Sequence, residues 1–384
     1  MPAGTLPSRA GAAIAVESAG WPKHPRDSAE HTNRVLLIPS GKLGKVQLDA
    51  APRLGDSGEV VADRNRRVGE VHRLILEHGK EAALRAVTRR DVVEAAAAYM
   101  SEVDGEISFF YSGWAQAALP HRRLADDAIW QLENDRVTLM VQPGLRPVPG
   151  GAPVHVGVPY GSRARLILLY LQTQALRSNS REIELGKSLH AWLRRLDIPV
   201  GGKSARDVRD QAERLSRCRM TLQISQGGRT GLVNQHILDT AIFIDEDATR
   251  SSQFIETARL SEMFFEQLKK HPVPVEEMAV RKIANNSVAL DIYCWLAYRL
   301  HFLEAPRLVS WKALHAQFGR GTAKVFHFKP HFRQALELTL AVYPEAQVEI
   351  DERGVTLKPS RPPVAPKVVA LSGARPAARR TLFD

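Results

Sequence analysis

The sequence predicts an α+β protein in which one run of elements, helix, helix, break, helix, hairpin, occurs twice. Three observations carry this expectation. Segments with a 3.6-residue apolar period alternate with short β-branched runs. Glycines break the chain at the same place in each run, at Gly201-Gly202 and at Gly319-Arg320-Gly321. Each run then closes on two extended segments joined by a glycine-containing, charged turn. At 384 residues, and with roughly 100 to 200 residues per domain, two or three domains are expected.

Residues 1–62 mix Pro, Gly, Ser and charge around one short apolar run, Val35 to Ile38, and are expected to be a flexible extension. Residues 63–100 form an N-terminal helical segment. Asp63 to Gly79 is one helix, with Val68, Val71, Leu74 and Ile75 on one face. Thr88 to Met100 is a second, with Thr88 as N-cap and Asp91 in the acidic position of a capping box. Residues 101–250 are the first domain. There Leu139 to Pro153 reads as a connector, Arg163 to Arg177 as a helix capped by Ser162, Gly186 to Leu196 as a second helix, and Ala205 to Arg219 as a third. A hairpin of Met220 to Ser225 and Gln235 to Ile244 follows, around Gly227-Gly228-Arg229-Thr230-Gly231.

Residues 251–360 repeat the pattern. Phe254 to Leu260 is extended and Ser261 to Lys270 helical, and Pro272 and Pro274 interrupt. Asn286 to Leu303 is a long apolar helix, Ser310 to Phe318 a helix capped by Ser310, and His331 to Val342 a third with Pro330 at its start. Gln347 to Ile350 and Val355 to Lys358 make the hairpin, closed by Asp351 to Gly354. Residues 361–384 are a disordered tail with five basic residues and one acid. This element order is that of a winged helix, so two tandem winged-helix domains are expected. In the DNA-binding form the third helix enters the major groove and the hairpin follows the backbone.

A net charge of +11 attracts polyanions, nucleic acid first and an anionic membrane surface second. The longest apolar run, Val280 to Leu303, is broken by Arg281, Lys282, Asp291 and Arg299, so no membrane span is expected. Cys218 and Cys294 lack zinc-ligand spacing, and Met1 to Ala29 lacks a secretory signal pattern. A cytoplasmic protein with reduced thiols is expected. Gly186-Lys187-Ser188 and Gly202-Lys203-Ser204 lack the upstream glycine of a phosphate loop. GxGxxG after a strand, HExxH and a paired-histidine metal site do not occur. No enzymatic activity, cofactor or metal is expected.

Lys203, Ser204, Arg206, Arg209, Arg214 and Arg217 decorate the third helix of the first run, apart from an apolar stripe of Ala205, Val208, Ala212 and Leu215. Arginine suits this position because its planar fork pairs with phosphate or with guanine O6 and N7. Lys203, Ser204, Arg206 and Arg209 are candidates for base edges. Arg214, Arg217 and Arg229 of the expected wing are candidates for phosphates. The alternative is an ordinary solvated face, since Asp207, Asp210 and Glu213 stand at ion-pairing spacing. In the second run, Lys324, His327, Lys329, His331 and Arg333 gather at the start of the last helix. His327 and His331 have no Cys or carboxylate near them to complete a metal site.

Several stretches together are specific: Pro159-Tyr160-Gly161-Ser162-Arg163-Ala164-Arg165-Leu166, Arg181 to Leu189, Gly201-Gly202, Asp210 to Leu215 and Asn286 to Leu300. Across about residues 95–358 the chain resembles the RepA family of plasmid-encoded replication initiators. The resemblance implies binding to repeated double-stranded origin sequences (iterons) and a homodimer in equilibrium with monomer. It also implies repression of the protein's own promoter and recruitment of the host initiator and replicative helicase. Both winged helices would read DNA, the second with more specificity, and the first would double as dimer interface. The final Leu382-Phe383 resembles the end of a sliding-clamp-binding peptide without its usual glutamine. The competing readings are a winged-helix transcriptional regulator without a role in replication, a single-strand or RNA binder, and a nuclease. Stacking platforms for single strands are scarce at 7% aromatic content.

Overall fold

The computed structural model describes residues 69–101, 105–134, 137–185, 193–194, 198–199, 201–226, 229–245 and 253–364. The expected extension 1–62, the tail from 365 onward and most of the expected helix Gly186 to Leu196 lie outside the described residues; of that helix, Leu193 is helical and buried.

Helix α1 (Glu70–Ala86) runs beyond its expected end because a second helical stretch follows Gly79, whose φ of 81° puts a kink where the first stretch stops. Helix α2 (Arg90–Met100) begins after Arg89, not Thr88, and has no side-chain cap. Asp91 pairs with Arg89 instead of closing a capping box, and Arg89 also reaches Glu337, at 3.2 Å. His72 Nε2 bonds the Ala341 carbonyl at 2.8 Å. Both helices therefore pack on the last third of the chain.

Strand β1 (Ile107–Tyr111) leads into a 3₁₀ turn, Ser112–Ala115. Strands β2 (Trp130–Glu133) and β3 (Val137–Gln142) bury alternate residues. The expected connector thus begins as a strand, Leu139 and Val141 being buried. The small hairpin β4 (Leu145–Arg146) and β5 (Val154–His155) fills the rest. Helix α3 (Gly161–Ser178) starts after Tyr160; Ser162 sits inside its first turn and caps nothing. Asn179 ends it in the left-handed conformation, which asparagine tolerates.

Strand β6 (Glu182–Glu184), helix α4 (Gly202–Arg217) and strands β7 (Arg219–Gln226), β8 (Arg229–His236), β9 (Leu238–Asp245) and β10 (Gln253–Leu260) follow. The second expected hairpin strand, Gln235 to Ile244, is really the end of β8 and most of β9. The chain breaks at buried Ile237, and the two parts join different sheets. Strands β7 and β8 extend a four-stranded sheet ordered β2-β3-β7-β8, whereas β9 joins a sheet ordered β6-β10-β9. Strand β10 therefore shares a sheet with β6 and β9 across the expected domain boundary at residue 250.

Helix α5 (Glu262–Lys270) is capped by the Ser261 hydroxyl, which accepts from Phe264 N–H. Pro272 and Pro274 do not interrupt: they lie in β11 (Pro272–Glu276), which pairs antiparallel with β1. Ser112 N–H donates to His271 C=O and Glu277 N–H to Glu106 C=O, so the partners facing Pro272 and Pro274 fall at the non-bonded positions of the ladder. A missing N–H costs nothing there. On β1 those same outward positions are satisfied by α3: Phe109 N–H donates to Thr173 Oγ1 and Tyr111 N–H to Gln172 Oε1.

After α6 (Glu277–Lys282), α7 (Ser287–Arg299) is capped by Asn286, whose side chain accepts from Val288 and Ala289 N–H. Strand β12 (Arg307–Ser310) precedes α8 (Trp311–Phe318), which Ser310 caps as expected. Helix α9 (Val325–Leu340) starts well before His331, so Pro330 lies inside it. Strands β13 (Val348–Ile350) and β14 (Gly354–Leu357) complete a sheet ordered β12-β14-β13.

The two three-stranded sheets share one topology. In each, the strand after the first helix lies at the edge, the last strand in the middle and the penultimate strand at the far edge. The fold is a mixture of helix and sheet, and one continuous cluster of buried side chains runs through both halves, from Val92 to Leu357.

Candidate nucleic-acid interface

Helix α4 turns its apolar stripe inward. Val208, Ala212 and Leu215 are buried against β9, β10 and α3, as the spacing predicts. Lys203 and Arg206 are exposed on its first two turns, Ser204 and Arg209 half-buried. Neither Lys203 nor Arg206 has an ion-pair partner among the described residues.

Arg214 is different. It is 2% exposed, and its guanidinium bonds Asp210 at 2.9 Å, Asp126 at 3.1 Å and the Val158 carbonyl at 3.4 Å. Tyr160 stacks on it at 5.3 Å. Gly157, with φ of +80°, makes room: a Cβ there would lie 1.9 Å from the arginine Nη1. Arg214 is therefore an internal tie, and the expected phosphate contact is corrected. A buried guanidinium needs carboxylates and carbonyls around it, and this one has them. Arg217 is turned the same way. It bonds Glu213 at 3.2 Å and the Leu145 carbonyl at 3.3 Å, which holds the β4–β5 hairpin against α4. Arg229 is the first residue of β8, paired with Gln226 of β7 in the four-stranded sheet. Arg165 is internal too, bonded to Asp291, Leu119 and Gly161.

The start of α9 is the more open cationic surface. Lys324, His327, His331 and Arg333 are exposed and Lys329 is half-buried, and no ion pair engages any of the five among the described residues. The inward face holds Phe328, Phe332, Leu336 and Leu338. Lys329 and Arg333 both lie over the Trp311 ring, at 5.3 and 5.6 Å, a favourable cation–π placement. Trp311 also anchors the hairpin. Its Nε1–H donates to Asp351 C=O at 3.0 Å, and its backbone N–H to Arg353 C=O at 3.1 Å. One indole thus fixes the β13–β14 turn relative to the cationic end of α9. At that turn Arg353 is three-quarters exposed and paired with Asp351.

Sequence reasoning missed Arg353 and Phe326. Arg353 stands in a turn that was recognised, but only the anchoring by Trp311 sets that turn beside α9. Phe326 is 77% exposed beside phenylalanines that are buried, a difference visible once the helix phase is known. Leu382 and Phe383 lie outside the described residues. Among the described residues there is no cluster of three potential metal ligands, and no helix is long and apolar enough to cross a membrane.

Residues 158–312 match the family model of the plasmid encoded RepA protein. The RepA match opens at the turn before α3 and closes in the first turn of α8. It therefore contains α4 and the sheet β6-β10-β9, while α9 and its cations lie beyond it. Two solved structures are similar to the chain. One is a selenomethionine derivative of domains 2 and 3 of RctB, with a TM-score of 0.41 and 14% identity, over 62% of this chain and 87% of that one. The other, of RctB domains 2–3, has a TM-score of 0.38 and 11% identity, over 63% and 93%. No curated protein matches.

Proposed function

We propose that this chain is a plasmid replication initiator that binds repeated origin sequences in double-stranded DNA through two tandem winged-helix units, without a catalytic site of its own. The observation that carries the reading is the RepA match over residues 158–312. Lys203 and Arg206 at the start of α4, and Lys324 and Arg333 at the start of α9, are exposed and engage in no ion pair among the described residues, which supports it, because phosphate neutralisation supplies a large share of the affinity for a duplex.

In this reading the first unit is α3, β6, the segment 186–197, α4, β9 and β10, and the second is α7, β12, α8, α9, β13 and β14. The common strand order of their sheets supports the assignment. The first wing is then β9–β10, and β7–β8 is an insertion that joins β2 and β3. Arg229 belongs to that insertion. Lys203, Ser204, Arg206 and Arg209 face the duplex from α4, and Lys324, His327, Lys329, His331 and Arg333 from α9, with Arg353 added on the second wing. The protein works in the cytoplasm, exchanges between homodimer and monomer, represses its own promoter, and recruits the host initiator and helicase. Leu382 and Phe383 engage a sliding clamp. A pull-down unaffected by their replacement with alanine removes that last partner.

The test is a gel-shift titration near physiological salt, comparing DNA upstream of the protein's own gene with a scrambled duplex. Stepwise shifts on the upstream DNA alone are expected; equal, salt-labile smearing on both would overturn the reading. Replication of a small origin fragment supplied with the protein then separates an initiator from a winged-helix transcriptional regulator.

A further inference from the structure

We infer that Phe326 reads a thymine of the target duplex, through the base's C5-methyl group in the major groove. The inference rests on the reading of α9 as a DNA-contacting helix.

Phe326 is the second residue of α9 and 77% exposed, the most exposed large apolar side chain among the described residues. It is not a displaced core residue. The helix already buries Phe328 at 3% and Phe332 at 0%, and a step of two residues turns Phe326 about 200° away from Phe328. Its ring meets the neighbouring His327 ring edge-on, at 5.4 Å. Exposed Pro330, one turn on, extends the same apolar spot.

Basic side chains surround this spot. Lys324 precedes it, His327 and His331 flank one side, and Arg333 the other. A single exposed apolar residue is ordinary on a protein surface. One set in an unpaired cationic face is not, because an apolar protein partner would leave those cations desolvated without counter-charge. A duplex supplies both complements at once: phosphates along the groove edges, and the thymine methyl as the apolar group on its floor. Side chains of a helix tilt towards its N-terminus, so Phe326 projects from the end that leads a recognition helix into the groove.

The full-length protein selects its preferred duplex from a random pool, and each thymine of that duplex is replaced in turn by deoxyuridine, which removes only the methyl group. The expected result is an affinity loss of about fourfold at one thymine per binding site, the worth of one methyl contact. Phe326→Ala should bind the thymine duplex more weakly and be indifferent to uridine at that position, with an unchanged melting temperature. A selected duplex in which no thymine is sensitive overturns the inference and leaves DNA binding intact. So does a variant that keeps the same uridine penalty. A pool that yields no preferred duplex overturns the DNA reading itself, and this inference with it.

Discussion

Arg165 donates from Nε and Nη2 to the two carboxylate oxygens of Asp291, each at 2.6 Å. The side chains are 9% and 12% exposed. The pair joins α3 of the first half to α7 of the second, and the same guanidinium bonds the Pro120, Leu119 and Gly161 carbonyls. Removing one partner strands a desolvated charge. Asp291→Ala or Arg165→Ala should therefore cost about 3–5 kcal/mol by urea unfolding. Replacing both, Arg165→Met with Asp291→Leu, should recover most of that loss. A double variant as unstable as the singles would show that the carbonyl contacts dominate.

Arg206 and Arg214 stand on one helix and should behave oppositely. Arg214→Ala removes the tie between Asp126, Asp210 and the Val158 carbonyl, and should cost about 1–3 kcal/mol of stability. Gly157→Ala should act in the same direction, because its Cβ would collide with the Arg214 guanidinium. Exposed Arg206 should change stability by less than about 0.5 kcal/mol when replaced by alanine. Its loss should instead lower the slope of log affinity against log salt by about 1. Thermal melts and salt titrations of both variants separate the two roles.

Trp311→Phe keeps the aromatic volume and loses the Nε1–H bond to the Asp351 carbonyl. About 1 kcal/mol of stability is expected to go with it. The β13–β14 turn should also loosen, seen as faster amide exchange at Gly354, whose N–H is held by Asp351 Oδ1 at 2.9 Å. Unchanged exchange there would mean that the strand ladder alone fixes the turn.

Burial, followed by the nearby Arg165 charge, lowers the His121 pKa from 6.5 to about 4. Nδ1 is hydrogen-bonded to the Ser287 hydroxyl at 3.0 Å, and Nε2 lies 3.8 Å from Asp291. As pH falls through 6.5 the unfolded chain takes up a proton that the folded chain refuses until near 4. Stability should be full above about 6.5, fall by about 1–3 kcal/mol on the way to 4, and level off below. Burial lowers His72 in the same direction. Urea midpoints at pH 7 and pH 5 measure the loss, and His121→Asn should flatten it. Parallel losses in both proteins would assign the effect elsewhere.

Local signals were legible where the physics was local. Ser310 and Asn286 stand directly before apolar helical periods, and both cap them. The stripe of Val208, Ala212 and Leu215 gave the inward face of α4, and the turn at Asp351 to Gly354 gave the last hairpin. Pairing across long sequence separations was not legible. Strand β11 reads as a proline interruption until β1 is placed beside it. The run Gln235 to Ile244 reads as one strand until Ile237 is seen to send its two parts into different sheets.

The candidate site divides along the same line. Composition and helical spacing by themselves determined that the chain is cationic and that α4 and the start of α9 gather basic residues. Only tertiary structure decided which cations remain available. Asp126 and the Val158 carbonyl come from outside α4 and turn Arg214 inward, while Trp311 of a neighbouring helix gathers Lys329, Arg333 and the last hairpin around one indole. The physical reason is that a charge's fate depends on its desolvation and its partners, and those are supplied by residues that fold, and not spacing, brings within reach.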